Sequence, residues 1–348
     1  GMTRKMKARK RAFRYLFIPE VSTGMVQLQV FHEFLSLSKQ ATFSSDSSLL
    51  NQIWSVSEET FKLCSDLFFI DGIKRDRWIW FGDAYQSFMI NQYLFFDEEI
   101  NKRTIFALRG QNEIKQHMNT IVDYSILWLI GIETHYMMTK DCEFLRIVYP
   151  KMQSLIGYLM EQTNELGFIY GREKDWIFID WSEMDKEGTL AAEQVLLLKA
   201  YHSMITCGNI LAETYGEAEI YPTDLYQEKY QVLKQSLFDY FWDEELGAFI
   251  DCYESGRRNV TRHANIFAVL FDFANKEQQQ SILKNVLLND SIIQITTPYF
   301  KFYEQDALCK LGQTEINKCI KQKTACDISE NIRSSSDIVQ AVFILKLA

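Results

Sequence analysis

An all-α (α/α)6 barrel is the fold class that the sequence predicts, and three observations carry it. Helical periodicity dominates from Ser44 onward, and the helical segments number about twelve, joined by short links. Only 15 Gly and 4 Pro punctuate the 348 residues, so turns are few. Twelve helices in antiparallel succession suit an inner ring of six inside an outer ring of six. The rival, a helical solenoid, would show a repeat of fixed length, and none is visible.

The first helix is N-capped by Asp46 or Ser47 and reaches about Phe68, with Leu50, Ile53, Trp54 and Ser57 repeating on one face. Further helices are read near 84–95, 97–110, 122–140, 142–164, 189–216 and 224–243. The series continues near 261–273, 276–288, 298–311, 313–322 and 332–347. Short extended stretches at 168–170, 176–179 and 248–250 look like hairpins on loops at the barrel rim. Ahead of the barrel, residues 25–30 alternate apolar and polar at period two, the pattern of a half-buried strand. Residues 13–18 also look extended, and Pro19 ends them. The chain therefore divides into an N-terminal β segment, 1–43, and a barrel, 44–348.

Composition narrows the function. Hydrophobic content of 47% with 24% charged is ordinary for a soluble globular protein. Aromatics at 14% are high, and such rings line pockets as well as fill cores. A net charge of −9 opposes a dominant nucleic-acid surface and suits a neutral or cationic substrate better than a polyanion. The seven cysteines, 64, 142, 207, 252, 309, 319 and 326, are an odd set without a CxxC pair. That opposes both a disulfide framework and a zinc site, and neither cofactor nor metal is expected. No apolar run reaches the roughly 18 residues of a membrane span. Gly1-Met2 reads as an added residue before a start methionine. The basic opening from Arg4 to Arg14 lacks the apolar run and cleavage site of a signal peptide, so a soluble cytoplasmic or periplasmic setting is expected.

Four stretches could carry chemistry. Residues 71–83 place Asp71, Asp76 and Asp83 among three basic residues and two tryptophans, at a spacing neither helical nor extended, hence on a loop between two helices. Two readings of it stand: a buried salt-bridged corner, with Arg75 and Arg77 neutralising the acids, or an active-site loop. Residues 174–185 repeat an acid–aromatic pair, Asp175-Trp176 and Asp180-Trp181. Such pairs offer acceptors for sugar hydroxyls and a flat plate for a sugar's C–H face, while an inward-packed strand is an equal reading for Trp176. Residues 297–304 read as a core helix capped by Thr297, with Tyr299 and Lys301 as the exceptions that face a ligand. Asp327 and Glu330 lie on a polar stretch near the C-terminus and read equally as solvated surface. His263, opening a helix, reads as a satisfied structural histidine. No phosphate loop, HExxH pair or GxSxG elbow is present, which leaves paired carboxylates as the leading chemistry. In glycoside hydrolysis one acid protonates the leaving oxygen and a second carboxylate activates water or attacks carbon.

The loop Asp71-Gly-x-Lys-Arg-Asp76-Arg-x-x-Trp80-x-Gly-Asp83 resembles the hallmark of bacterial α-L-rhamnosidases of glycoside hydrolase family 78. The similarity continues through Asp175-Trp176-x-Phe178-Ile179-Asp180-Trp181, Arg262-His263-Ala264 and Thr297-Pro298-Tyr299-x-x-Phe302-Tyr303, in the family's order. The resemblance implies a six-hairpin glycosidase barrel and inverting hydrolysis of terminal α-L-rhamnosides, with a rhamnoside as substrate. Where the commoner pattern carries a glutamate as general acid, this chain is one residue shorter and Asp76 falls at that place. The resemblance makes Asp71 and Asp83 sugar-binding acids and Trp80 the aromatic plate. Arg75, Asp175, Trp176, Asp180, Trp181, His263 and Tyr299 complete the substrate-binding set. The family's Thr-x-x-Glu is matched by Thr324-Ala325-Cys326-Asp327, making Asp327 the general base, with Glu330 in reserve. A sugar-binding homologue without turnover is the alternative. The family also carries β-sandwich domains ahead of the barrel, and 13–37 resembles only the last strands of one.

Overall fold

A computed structural model describes residues 15–17, 27–73, 76–108 and 113–313. Ten α-helices fill most of this span: α1 Ser48–Cys64, α2 Phe81–Leu94, α3 Glu98–Ala107, α4 Val122–Thr139, α5 Cys142–Met160, α6 Ala191–Tyr215, α7 Asp224–Phe241, α8 Arg262–Leu270, α9 Lys276–Ile282 and α10 Pro298–Lys310. A two-stranded antiparallel ribbon, β1 Trp242–Asp243 and β2 Ala248–Phe249, pairs Trp242 with Phe249.

Sequence-level caps start several of these helices. Side chains of Ser47, Asp97, Asp141 and Thr297 accept from the amides of Leu50, Ile100, Phe144 and Phe300. Asn275 forms a reciprocal capping box with Gln278. Two stops are left-handed residues, Lys140 after α4 and Gly216 after α6.

Even- and odd-numbered helices differ in character. The even helices α2, α4, α6, α8 and α10 pack successively, α2 on α4, α4 on α6, α6 on α8 and α8 on α10. They form the inner ring and are buried nearly all round: in α4 every residue from Val122 to Glu133 is buried. The odd helices lie outside, α3 on α4, α5 on both α4 and α6, and α7 on α6, with α5 burying one face and exposing the other. This alternation is the (α/α)6 six-hairpin barrel. The helix α6 is long and apolar enough to cross a membrane by length and composition, but it sits among α4, α5, α7 and α8 as a core helix.

Some expectations need correction. Of the stretch 25–30, the described residues 27–30 are not a half-buried strand: Leu28 and Val30 are exposed, and these four residues form no ladder. Alternation alone does not make a strand when no partner strand covers its apolar side. Residues 15–17 are likewise exposed and irregular. Of the rim strands, 248–250 is borne out as β2, whereas Ile169 and Trp176 each make a single isolated bridge, to Thr163 and Ile121. Helix α1 ends at Cys64, because Ser65 adopts an extended backbone and pairs with Phe69, and α2 begins at Phe81. The helices read at 313–322 and 332–347 lie outside the described residues.

Candidate active site

The first turns of the five inner helices gather at one end of the barrel, and they carry three of the residues singled out above, Asp83, His263 and Tyr299. Asp83 is the third residue of α2, Asp123 and Tyr124 open α4, Glu193 is the third residue of α6, His263 the second of α8 and Tyr299 the second of α10. Close approaches join them. A side chain added at Gly82 would stand 2.5 Å from Tyr124 Cε1 and 2.6 Å from the Tyr299 hydroxyl, so the lack of one lets α2 meet α4 and α10 here. Gln86 Nε2 donates to the Tyr299 carbonyl at 2.9 Å, a second tie between α2 and α10.

The acid loop is stitched at both ends. The Asp71 amide donates to the Trp78 carbonyl, and the Trp78 amide returns a bond to Asp71 Oδ1, each at 3.0 Å. Asn119, in a left-handed turn before α4, donates to the Ile79 carbonyl at 3.0 Å and so fixes the backbone beside Trp80. The Trp80 ring meets Tyr124 edge-on with centroids 6.4 Å apart. Asp76 is exposed, and Arg75 lies outside the described residues. Burial, reinforced by the negative charge of Asp71, pushes the Asp83 carboxyl up to about 7. Asp71 is also raised, by burial and by the charge of Asp76, against the opposing bond from the Trp78 amide.

Opposite stands the 176–186 loop. Trp176, Phe178, Trp181, Met184 and Lys186 line a cleft of about 560 Å³. Trp176 and Trp181 are 42% and 72% exposed, with ring centroids 5.5 Å apart, and both flank Phe178. Phe178 in turn meets Tyr124 and Tyr299, which connects this wall to the acid loop. Asp180 is buried and fully engaged. Its Oδ1 accepts from the Trp181 amide at 2.8 Å and from Thr297 Oγ1 at 2.6 Å. Its Oδ2 accepts from Ser182 Oγ at 2.8 Å and lies 3.0 Å from His263 Nε2. Asp175 sits lower on the rim, held by Arg172 Nε at 2.9 Å. Lys301 pairs with the buried Glu304, which also holds Arg262 at 2.7 Å.

Three polar residues at this end escaped the sequence reading: Asp123, Lys186 and Glu193. Asp123 accepts from the amides of Phe178 and Ile179 at 2.9 and 3.3 Å, and burial pushes it up to about 6. Glu193 is wholly buried, and neither of its oxygens is hydrogen-bonded among the described residues; burial and the nearby Asp123 charge raise it well above the carboxylate range. The available signal was a carboxylate at the start of α6, followed by the apolar run 195–198. Asp327 and Glu330 lie outside the described residues.

The comparisons with known proteins agree with this architecture. The family model described as bacterial alpha-L-rhamnosidase 6 hairpin glycosidase domain matches residues 38–294. A GH78 family rhamnosidase of Bacillus sp. GL1 superposes with a TM-score of 0.74 at 20% identity, over 88% of this chain and 36% of that one. A rhamnosidase from Klebsiella oxytoca with rhamnose bound gives 0.68 at 19% identity, over 86% and 64%. An uncharacterized conserved protein from Thermus thermophilus gives 0.58 at 10% identity, over 84% and 99%. The chain thus spans about a third of the Bacillus enzyme and under two thirds of the Klebsiella one. No curated protein matches the chain.

Proposed function

This chain belongs to the bacterial alpha-L-rhamnosidase six-hairpin glycosidase family, and from that premise we propose that it hydrolyses terminal α-L-rhamnosides with inversion. One observation carries the reading. Asp83 on α2 interacts electrostatically with Tyr124 and Tyr299, and both of those rings meet Phe178, which lines the aromatic-walled cleft. Raised carboxyls and cleft are thus joined through one ring cluster where the inner helices begin. A neutral sugar is matched by that combination: rings cover its C–H face and carboxyls hold its hydroxyls.

In this reading Asp76 is the general acid, protonating the glycosidic oxygen from the exposed side of the loop. Asp83, kept protonated by burial up to near neutral pH, donates to a sugar hydroxyl, and Asp71 accepts from another. Asp327, or Glu330, draws a proton from the attacking water, which requires about 6.5–9.5 Å between acid and base. Trp80 supplies the aromatic plate, while Trp176 and Trp181 wall the cleft, and Arg75 and Asp175 complete the substrate-binding set. His263 serves through Asp180, which it helps to hold.

The aspartate at position 76 also motivates a second reading, sugar binding without turnover. Its carboxyl reaches one methylene less far than a glutamate, and its hydrogen-bonding range is only about 3 Å. A panel of aryl glycosides separates the two, with the released sugar's anomer followed by proton NMR. Hydrolysis of the α-L-rhamnoside with the β-anomer appearing first is expected. An α-anomer as first product would overturn inversion, and rhamnose binding without release from any aryl glycoside would establish the second reading.

A further inference from the structure

The backbone at 177–179 is gripped from two sides. From one side Asp123 accepts from the amides of Phe178 and Ile179 at 2.9 and 3.3 Å. From the other, the Lys186 ammonium donates to the carbonyls of Ile177 and Phe178 at 3.3 and 3.0 Å. A carboxylate thus gathers the N–H groups while an ammonium gathers the C=O groups of the same short stretch. Between them Ile179 sits at φ 54°, a left-handed conformation that a β-branched residue adopts only when its surroundings impose it. Ile179 is itself buried, and the Asp180 amide folds back onto the Phe178 carbonyl at 2.7 Å, so the chain turns sharply at this point. That turn sends Trp176 and Trp181, five positions apart, to the same wall of the cleft.

We propose that Asp123 and Lys186 are positioning residues, a two-sided clamp that holds the Ile179 turn and thereby presents the Trp176–Trp181 wall to a bound ligand. The proposal rests on the sugar-binding reading for the identity of that ligand, but not for the clamp itself. Both residues act through the backbone they hold and not on the reacting atoms. Asp123 works from below, at the start of α4, where the helix N-terminus also favours its charge. The neighbouring Glu193 is raised well above the usual carboxylate range by burial and by the charge of Asp123, with Lys186 opposing.

The test uses Asp123→Asn, Lys186→Met and Lys186→Arg in the full chain, with 5-fluorotryptophan incorporated. Hydrogen exchange at the Phe178 and Ile179 amides should accelerate at least tenfold in Asp123→Asn, and the fluorine resonances of Trp176 and Trp181 should shift or broaden. Lys186→Met, at an exposed residue that tolerates exchange, should move the same two resonances, and Lys186→Arg should restore them. With L-rhamnose as the probe, or an aryl α-L-rhamnoside if it is turned over, Kd or KM should rise about tenfold while kcat changes less than threefold. Unchanged exchange and unchanged tryptophan resonances in the folded Lys186→Met protein would overturn the clamp. Altered resonances with no rhamnose binding by the wild type would instead overturn the sugar-binding reading and leave the clamp standing.

Discussion

The two acidic loops, 71–83 and 175–186, carry similar mixtures of aspartate and tryptophan and use them in opposite ways. In the second, the central aspartate is consumed: Asp180 spends both oxygens on Trp181, Thr297, Ser182 and His263. In the first, Asp83 is driven up by burial and by Asp71. A buried carboxylate with four donors is part of the scaffold, whereas one poised to keep a proton near neutral pH fits the role proposed for Asp83 toward the sugar. Sequence spacing cannot separate these fates, because two of the four partners of Asp180 come from α8 and from the cap of α10, over 80 residues away.

The contrast is broken most directly by neutralising each acid in turn. Removing Asp180 with alanine strands a hydroxyl from Thr297, another from Ser182, the Trp181 amide and His263 in a buried setting. A loss of about 3–5 kcal/mol in chemical denaturation is expected. A loss under about 1 kcal/mol would mean that the hub is not holding the loop.

Asp83→Asn should act in the opposite sense, and its effect should depend on pH. The folded carboxyl titrates at about 7, above its ordinary range near 4, so the native state binds the extra proton between those values. Wild-type stability conferred by that proton is therefore complete below pH 4 and is lost as pH rises to 7, at up to about 1.4 kcal/mol per unit. Asparagine removes the titration, so the variant gains on the wild type between pH 5 and pH 8. Melting temperatures at the two pH values read this; parallel curves for the two proteins would remove Asp83 from the poised class.

Smaller effects test how the two loops are joined. Gly82→Ala would drive a methyl group into Tyr124 and the Tyr299 hydroxyl, at about 1–3 kcal/mol, and would separate α2 from the partners that carry Phe178. Full stability in this variant would show that those tyrosines move freely. Least of all in stability is Trp181→Ala, because the ring is mostly exposed. A change within about 0.5 kcal/mol is expected by denaturation, together with weaker rhamnose binding by titration calorimetry. Unaltered binding would take Trp181 off the cleft's working surface.

Much of the fold was legible because inner and outer helices differ in composition. The all-apolar run 126–130 in α4 and the one-sided pattern of α5 announce their places in the ring. Boundaries were less legible where local pairing intervened, as at Ser65, whose bridge to Phe69 stops α1 early. The alternation at 25–30 misled at its described residues, 27–30, because periodicity reports what a segment can pair with, and no described strand pairs with them. At the site, the Asp–Trp motifs pointed to two loops that the structure joins through Tyr124, Phe178 and Tyr299. They gave no sign of Asp123, Lys186 or Glu193, since a lone acid near a helix start reads as an ordinary favourable charge. Their meaning arises only when α4, α6 and the 176–186 loop meet.

The measurement that bears most directly on the central claim is the hydrolysis rate of an alkyl α-L-rhamnoside by the wild type and by Asp76→Asn. A poor leaving group makes proton donation to the glycosidic oxygen decisive, so general-acid loss should lower kcat by about 10²–10⁴. Asp76→Glu, which restores the longer reach, should retain or raise the rate. Undiminished turnover in Asp76→Asn would contradict the assignment of the acid loop as the catalytic one.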